Sequence, residues 1–107
     1  MAGSKRIKTN AAVTVTTAGT RVQITSTATR APYVFIQAKP GNTGRIFVGD
    51  SDVSSAQYMA SLAAGDAVSI DASAYPRGGS SEIDLSTLYA DSASNGDGLL
   101  YSYEIGA

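Results

Sequence analysis

Asn95-Gly96-Asp97-Gly98-Leu99-Leu100-Tyr101-Ser102-Tyr103-Glu104-Ile105 is a turn that runs into a strand. Leu99, Tyr101, Tyr103 and Ile105 fall on one face of an extended chain, with Ser102 and Glu104 on the other. The Asn-Gly and Asp-Gly pairs ahead of it tolerate positive φ and read as a hairpin loop.

The same alternation recurs toward the N-terminus. Val68 and Ile70 alternate with Ser69 and Asp71 after the turn Ala64-Gly65-Asp66. Arg45-Ile46-Phe47-Val48 reads as a strand returning from the turn Lys39-Pro40-Gly41-Asn42-Thr43-Gly44. Tyr33-Val34-Phe35-Ile36 is apolar on both faces, which fits a central strand covered on both sides or one whose outer face meets a partner; the covered strand is the default. Val13 and Val15, then Val22 and Ile24, flank a turn at Ala18-Gly19 and read as a hairpin. Leu85 to Ala90 is expected to be extended, and a short helical turn is expected within 51–64. The pattern predicts an all-β fold: an antiparallel β-sandwich or jelly-roll-like barrel of about seven to eight short strands. Residues 1–10, with Lys5, Arg6 and Lys8 around a single large aliphatic, Ile7, are expected to be an extended N-terminal arm, and 11–107 to be one domain.

Composition narrows the function. With 43% apolar and 16% charged residues, the 107-residue chain suits a packed globule rather than a disordered tail. Without cysteine there is no thiolate metal site, disulfide or cysteine nucleophile; without histidine the usual general base and commonest metal ligand are missing. An enzyme is therefore not expected, nor a cofactor or a small-molecule substrate. No stretch reads as an export signal or a membrane span. A net charge of −1 and a short basic cluster without interleaved aromatics argue against nucleic acid as the partner. The charge is nevertheless lopsided: seven bases from Lys5 to Arg45 precede the first acid, Asp50, and only Arg77 is basic after it. That asymmetry would suit contacts between copies through faces of opposite sign, unless strands from the two halves interleave and mix the charges.

Three motifs could carry chemistry. Gly49-Asp50-Ser51 is similar to three residues of the GDSL esterase nucleophile block, but that chemistry requires a histidine, so a turn with side chains bonded back to the backbone is expected. Asp91-Ser92-Ala93-Ser94-Asn95-Gly96-Asp97-Gly98 gathers oxygen ligands without the calcium-loop spacing or its late glutamate, and hydrogen bonding within the loop is the expectation. The Asp50/Asp52 pair reads as solvated turn carboxylates. Tyr101 and Tyr103 are expected in the core, with Tyr58 and Tyr75 the better interface candidates.

The second half of the chain, with its strands and turns in order, resembles small bacteriophage virion proteins of the capsid decoration or cement kind. The resemblance rests on Gly44-Arg45-Ile46-Phe47-Val48-Gly49-Asp50-Ser51-Asp52-Val53, on Leu62-Ala63-Ala64-Gly65-Asp66 with Ala64 where proline is usual, on Ile83-Asp84-Leu85-Ser86-Thr87-Leu88-Tyr89, and on Asn95-Gly96-Asp97-Gly98 with the closing tyrosine-rich strand. It implies a small β-sandwich without catalytic residues, made in the host cytoplasm and placed on the capsid surface of a virion. Its partners would be the major capsid protein or copies of itself. The expected contact elements are Lys5, Arg6, Ile7 and Lys8 in the arm and Val53, Tyr58, Met59 and Leu62 in the loop. A tail-tube or connector subunit that forms rings, and a glycan-binding module of a tail fibre or adhesin, are the alternatives.

Overall fold

The computed structural model describes residues 6–72 and 82–105. Its strands are β1 (Arg6–Thr9), β2 (Val13–Thr14), β3 (Val22–Gln23), β4 (Arg30–Ala31), β5 (Tyr33–Ala38), β6 (Ile46–Gly49), β7 (Ala60–Leu62), β8 (Ala67–Asp71), β9 (Ile83–Asp84), β10 (Tyr89–Ser92) and β11 (Gly98–Ile105). One sheet runs β1-β11-β5-β8, with β2 beside β1 on the same edge of β11; the second runs β3-β10-β6-β7; β4 and β9 form a small ladder of their own. Every pairing is antiparallel. The fold is an all-β antiparallel sandwich, as the alternation predicts.

The core lies between the sheets. Val34, Ile36 and Ala38 of β5, Leu99 of β11, Ile46 and Val48 of β6 and Ala90 of β10 are fully buried, and burial of each larger aliphatic stabilises the fold by about 1.5–3 kcal/mol. Tyr101 and Tyr103 pack against this core while remaining partly exposed, their rings stacked at 6.5 Å. Strand β6 is buried on both faces, because the Phe47 ring on its outer face is covered by Tyr58 at a centroid distance of 5.3 Å. Strand β5 is not: Phe35, on the face away from the core, remains 38% exposed, so the covered-strand expectation for Tyr33–Ile36 fails on that side.

The connections differ from the hairpins expected of the sequence. The links β2→β3, β5→β6, β7→β8 and β10→β11 each carry the chain from one sheet to the other. Because neighbouring strands alternate in direction, all of these arches emerge at one end of the sandwich. Turn residues look alike in a hairpin and an arch, and side chains outside the local window decide between them. Here the Asp97 carboxylate accepts from the N–H groups of Thr43 (3.0 Å) and Gly44 (2.7 Å). Asn42 closes a reciprocal pair with Gly98, donating from Nδ2 to its carbonyl (2.8 Å) and accepting at Oδ1 from its N–H (3.0 Å). The turn after Val15 is held by Asn95 Oδ1, which accepts from Ala18 N–H, and by Asp91 Oδ1, which accepts from Gly19 N–H. Val15 itself, fully buried, exchanges backbone hydrogen bonds with Gly96 and Asp97.

Three local expectations are also corrected. Residues 51–59 form turns rather than a helical turn, since Asp50 Oδ1 and Ser54 Oγ accept from the N–H groups of Asp52 and Ala56 and divert the backbone from helix. Leu85–Thr87 is a 3-10 turn rather than a strand, capped by the Asp84 side chain, which accepts from Ser86 N–H. The described part of the N-terminal segment is no free arm: Arg6–Thr9 pairs with Ser102–Ile105 as an edge strand.

A Cβ at Gly98 would lie 2.5 Å from the Val13 carbonyl oxygen, a backbone atom that cannot yield without disturbing the β2–β11 pairing. Gly98→Ala is therefore expected to lower the unfolding free energy in a urea titration by about 2–3 kcal/mol. Gly41→Ala, where the new Cβ has nothing within 4 Å, is expected to change it by less than about 0.5 kcal/mol. Equal effects would contradict this packing.

Candidate interaction surface

Three carboxylates of the candidate motifs, Asp50, Asp91 and Asp97, are tied into the fold. Asp97, 6% exposed, holds the β5–β6 arch, and Asp91, 3% exposed, accepts from Gly19 and Ser92. Asp50 bonds to Asp52 N–H in the turn after β6, beside the exposed Ser51, as the reading of Gly49-Asp50-Ser51 anticipates. Gly49 itself ends β6 where a Cβ would press on Val53 at 3.2 Å, so it serves close packing rather than a turn. Among the described residues no group of three or more acidic side chains is placed to hold a metal ion, and no helix is long and apolar enough to cross a membrane.

The expected contact residues separate into three groups. Lys5, like Tyr75, lies outside the described residues. Arg6, Ile7 and Lys8 are exposed on β1, with Ile7 facing away from the core and Arg6 and Lys8 on the same face as Ile105 and Tyr103. In the loop, Tyr58 and Met59 are 48% and 52% exposed, whereas Val53 and Leu62 are 1% and 5% exposed. Val53 and Leu62 are thus corrected from contact residues to core residues: the turn folds Val53 under β6, and Leu62 pairs with Ile46 on the inner face. The two contact elements do not meet. β1 lies at one flank of the sandwich with β2 and β3, and the Tyr58–Met59 corner lies at the opposite flank with β7 and β8.

At that corner the Tyr58 ring rests on buried Phe47, which fixes an aromatic side chain at the surface with little freedom left to lose on binding. A groove of about 440 Å³ runs beneath it, lined by Gly49, Asp50, Gln57, Tyr58, Met59 and the 3-10 turn at Thr87–Leu88. On the other side of Met59, a second apolar groove of about 510 Å³ opens along the seam between the sheets, over Val68, Ile70 and Ile83. Phe35 and Leu100 form a further apolar patch on the outer face of the larger sheet, with Ile7 at its margin. The two-sided apolar run at 33–36 and the Leu99-Leu100 pair were its only signals in the sequence.

Comparison of the chain with protein-family models, curated proteins and solved structures found no match.

One titrating group stands out. Asp84 is held below its ordinary value of 3.8 by the Ser86 hydroxyl (2.7 Å) and the Ser86 N–H (3.0 Å), helped by Thr29 N–H and by the charge of Arg30 and opposed by desolvation. A carboxyl depressed on folding stabilises the protein above its unfolded value and loses that contribution as pH falls through the lower folded value. The melting temperature of Asp84→Asn is accordingly expected to lie below that of the native chain near neutral pH and to converge with it below pH 3.8. A gap that did not change with pH would contradict this assignment.

Proposed function

We propose that the chain is a non-enzymatic structural subunit of a bacteriophage particle, a capsid decoration protein that binds the assembled lattice of the major capsid protein. The observation that carries the reading is the Tyr58–Met59 corner, a pre-positioned aromatic and a flexible thioether side by side above an apolar groove, the chemistry of a protein contact rather than of a reaction centre. The order of strands and turns that resembles decoration proteins supports it. Such a subunit works by repetition, each contact modest and the lattice multiplying them. A ring-forming tail or connector subunit is the second reading, favoured by the lopsided order of charge along the chain.

Undecorated capsids that can be pelleted test the first reading. The native protein is expected to co-pellet to a saturable stoichiometry, and Tyr58→Ala to weaken binding by about tenfold or more while leaving the fold in place, as the loss of a central aromatic anchor does. Absence of co-pelleting, or binding indifferent to both Tyr58→Ala and Met59→Ala, would contradict it.

A further inference from the structure

Strands β1 and β2 share one edge of β11 but not one phase. Thr9 stands opposite Ser102 and Val13 opposite Leu99, so three residues, Asn10-Ala11-Ala12, span what Leu100 and Tyr101 span on the partner strand. The extra residue is a β-bulge, and it reverses the face that the side chains take. Ile7 and Thr9 fall on the same odd-numbered alternation as Val13 and Val15, yet the valines belong to the core while Ile7 and Thr9 lie on the outer face of the larger sheet. Among the described residues Leu100 and Tyr101 have no strand partner on this side.

A recess of about 200 Å³ lies on that outer face at the bulge, lined by Thr9 and Asn10, by Phe35 and Gln37 of β5, and by Leu100 and Ser102 of β11. Register sets the Thr9 hydroxyl, the Ser102 hydroxyl and the Phe35 ring side by side across three strands, with Cβ atoms about 4.5–5.5 Å apart from strand to strand. Ser69, opposite Phe35 on β8, is as small as Ser102, so neither cross-strand neighbour covers the ring, which is 38% exposed. Two amides are anchored at one end: Asn10 Nδ2 donates to the Lys8 carbonyl (3.4 Å) and Gln37 Nε2 to the Gly65 carbonyl (3.2 Å). Each thereby turns its side-chain carbonyl oxygen away from that bond, as an acceptor. No charged side chain lines the recess.

An aromatic face ringed by neutral hydroxyls and amides matches a ligand with a face of C–H groups and a rim of uncharged hydroxyls, which describes a pyranose ring. An ion would find no counter-charge there, and a purely apolar group would leave the polar rim unsatisfied. We propose that the outer face of the larger sheet binds a neutral sugar ring, stacked on Phe35 and hydrogen-bonded by Thr9, Asn10, Gln37 and Ser102. The recess is smaller than the roughly 300–1,000 Å³ of pockets that enclose drug-sized ligands, which suits a single ring. Binding at so shallow a site is weak, on the order of millimolar, and gains strength where many copies are displayed together. The inference goes beyond the capsid reading and does not rest on it, because the recess adjoins β1 and β2 whereas the Tyr58–Met59 corner belongs to the flank of β7.

The experiment is an amide chemical-shift titration of the isotope-labelled full chain with the methyl glycosides of glucose, galactose and mannose and with N-acetylglucosamine, each to about 50 mM, and separately with phenol as an aromatic probe. At least one of the sugars is expected to give saturable shifts centred on Thr9, Asn10, Phe35, Leu100 and Ser102. Phe35→Ala is expected to weaken that sugar's binding by about tenfold, and Phe35→Tyr, which keeps the ring, to retain it. Ser102→Ala, which removes one hydroxyl and leaves the packing in place, is expected to weaken it by about threefold to tenfold. Shifts from none of the four sugars would overturn the proposal, and a response to phenol alone would mark the face as an apolar protein contact instead. Shifts centred elsewhere, or an affinity unchanged by Phe35→Ala or by Ser102→Ala, would overturn it as well.

Discussion

The carboxylate of Asp97 is nearly sealed from solvent, and its partners are the backbone N–H groups of Thr43 and Gly44 rather than a basic side chain. A buried acceptor that satisfies two donors across a long sequence separation fixes the β5–β6 arch against the β10–β11 arch. The Asn42 amide, closed on both backbone groups of Gly98, repeats the tie one residue away. Removal of the Asn42 amide would leave the buried Gly98 N–H without this acceptor, at a cost of about 1–3 kcal/mol. The register of β11 in the larger sheet, and with it the placement of Leu99, Tyr101 and Tyr103, depends on this cluster.

Because the arches gather at one end, the rest of the molecule is free to differ in character around its perimeter. The arch end consumes polar side chains in holding itself together: Asp91, Asn95, Asp97 and Asn42 all bond to backbone. The exposed apolar side chains sit at the Tyr58–Met59 corner and on the outer face around Phe35 and Leu100.

Much of this architecture is legible in the sequence, and the failures share one cause. Period-two alternation located β8 and β11, and short apolar runs bounded by turn residues located β5 and β6, because each contributes a face to a common core. It could not distinguish an arch from a hairpin at 15–21, 39–45 or 93–97, since the same glycines, asparagines and aspartates serve both, and the deciding partners are as far apart as Asn42 and Gly98. The strands Val22–Gln23, Arg30–Ala31 and Ile83–Asp84 are two residues long and carry no period to detect. At the surface, Tyr58 and Met59 were recognisable as large apolar groups in a small-residue connection. Val53 and Leu62 looked the same, and only the path of the turn under β6 separates the buried pair from the exposed one.

The account holds that the arch end is the most firmly tied part of the molecule although it consists of loops. Native-state hydrogen exchange addresses this residue by residue, because the amides of Thr43, Gly44, Gly98 and Gly19 donate to side-chain acceptors rather than to a strand ladder. Their protection is expected to approach that of the central-strand amides of Val34 and Ile36, reporting opening only with the whole fold. Exchange of those four amides at the rate of exposed loops, with the strands still protected, would contradict the claim that this polar cluster holds the sandwich together.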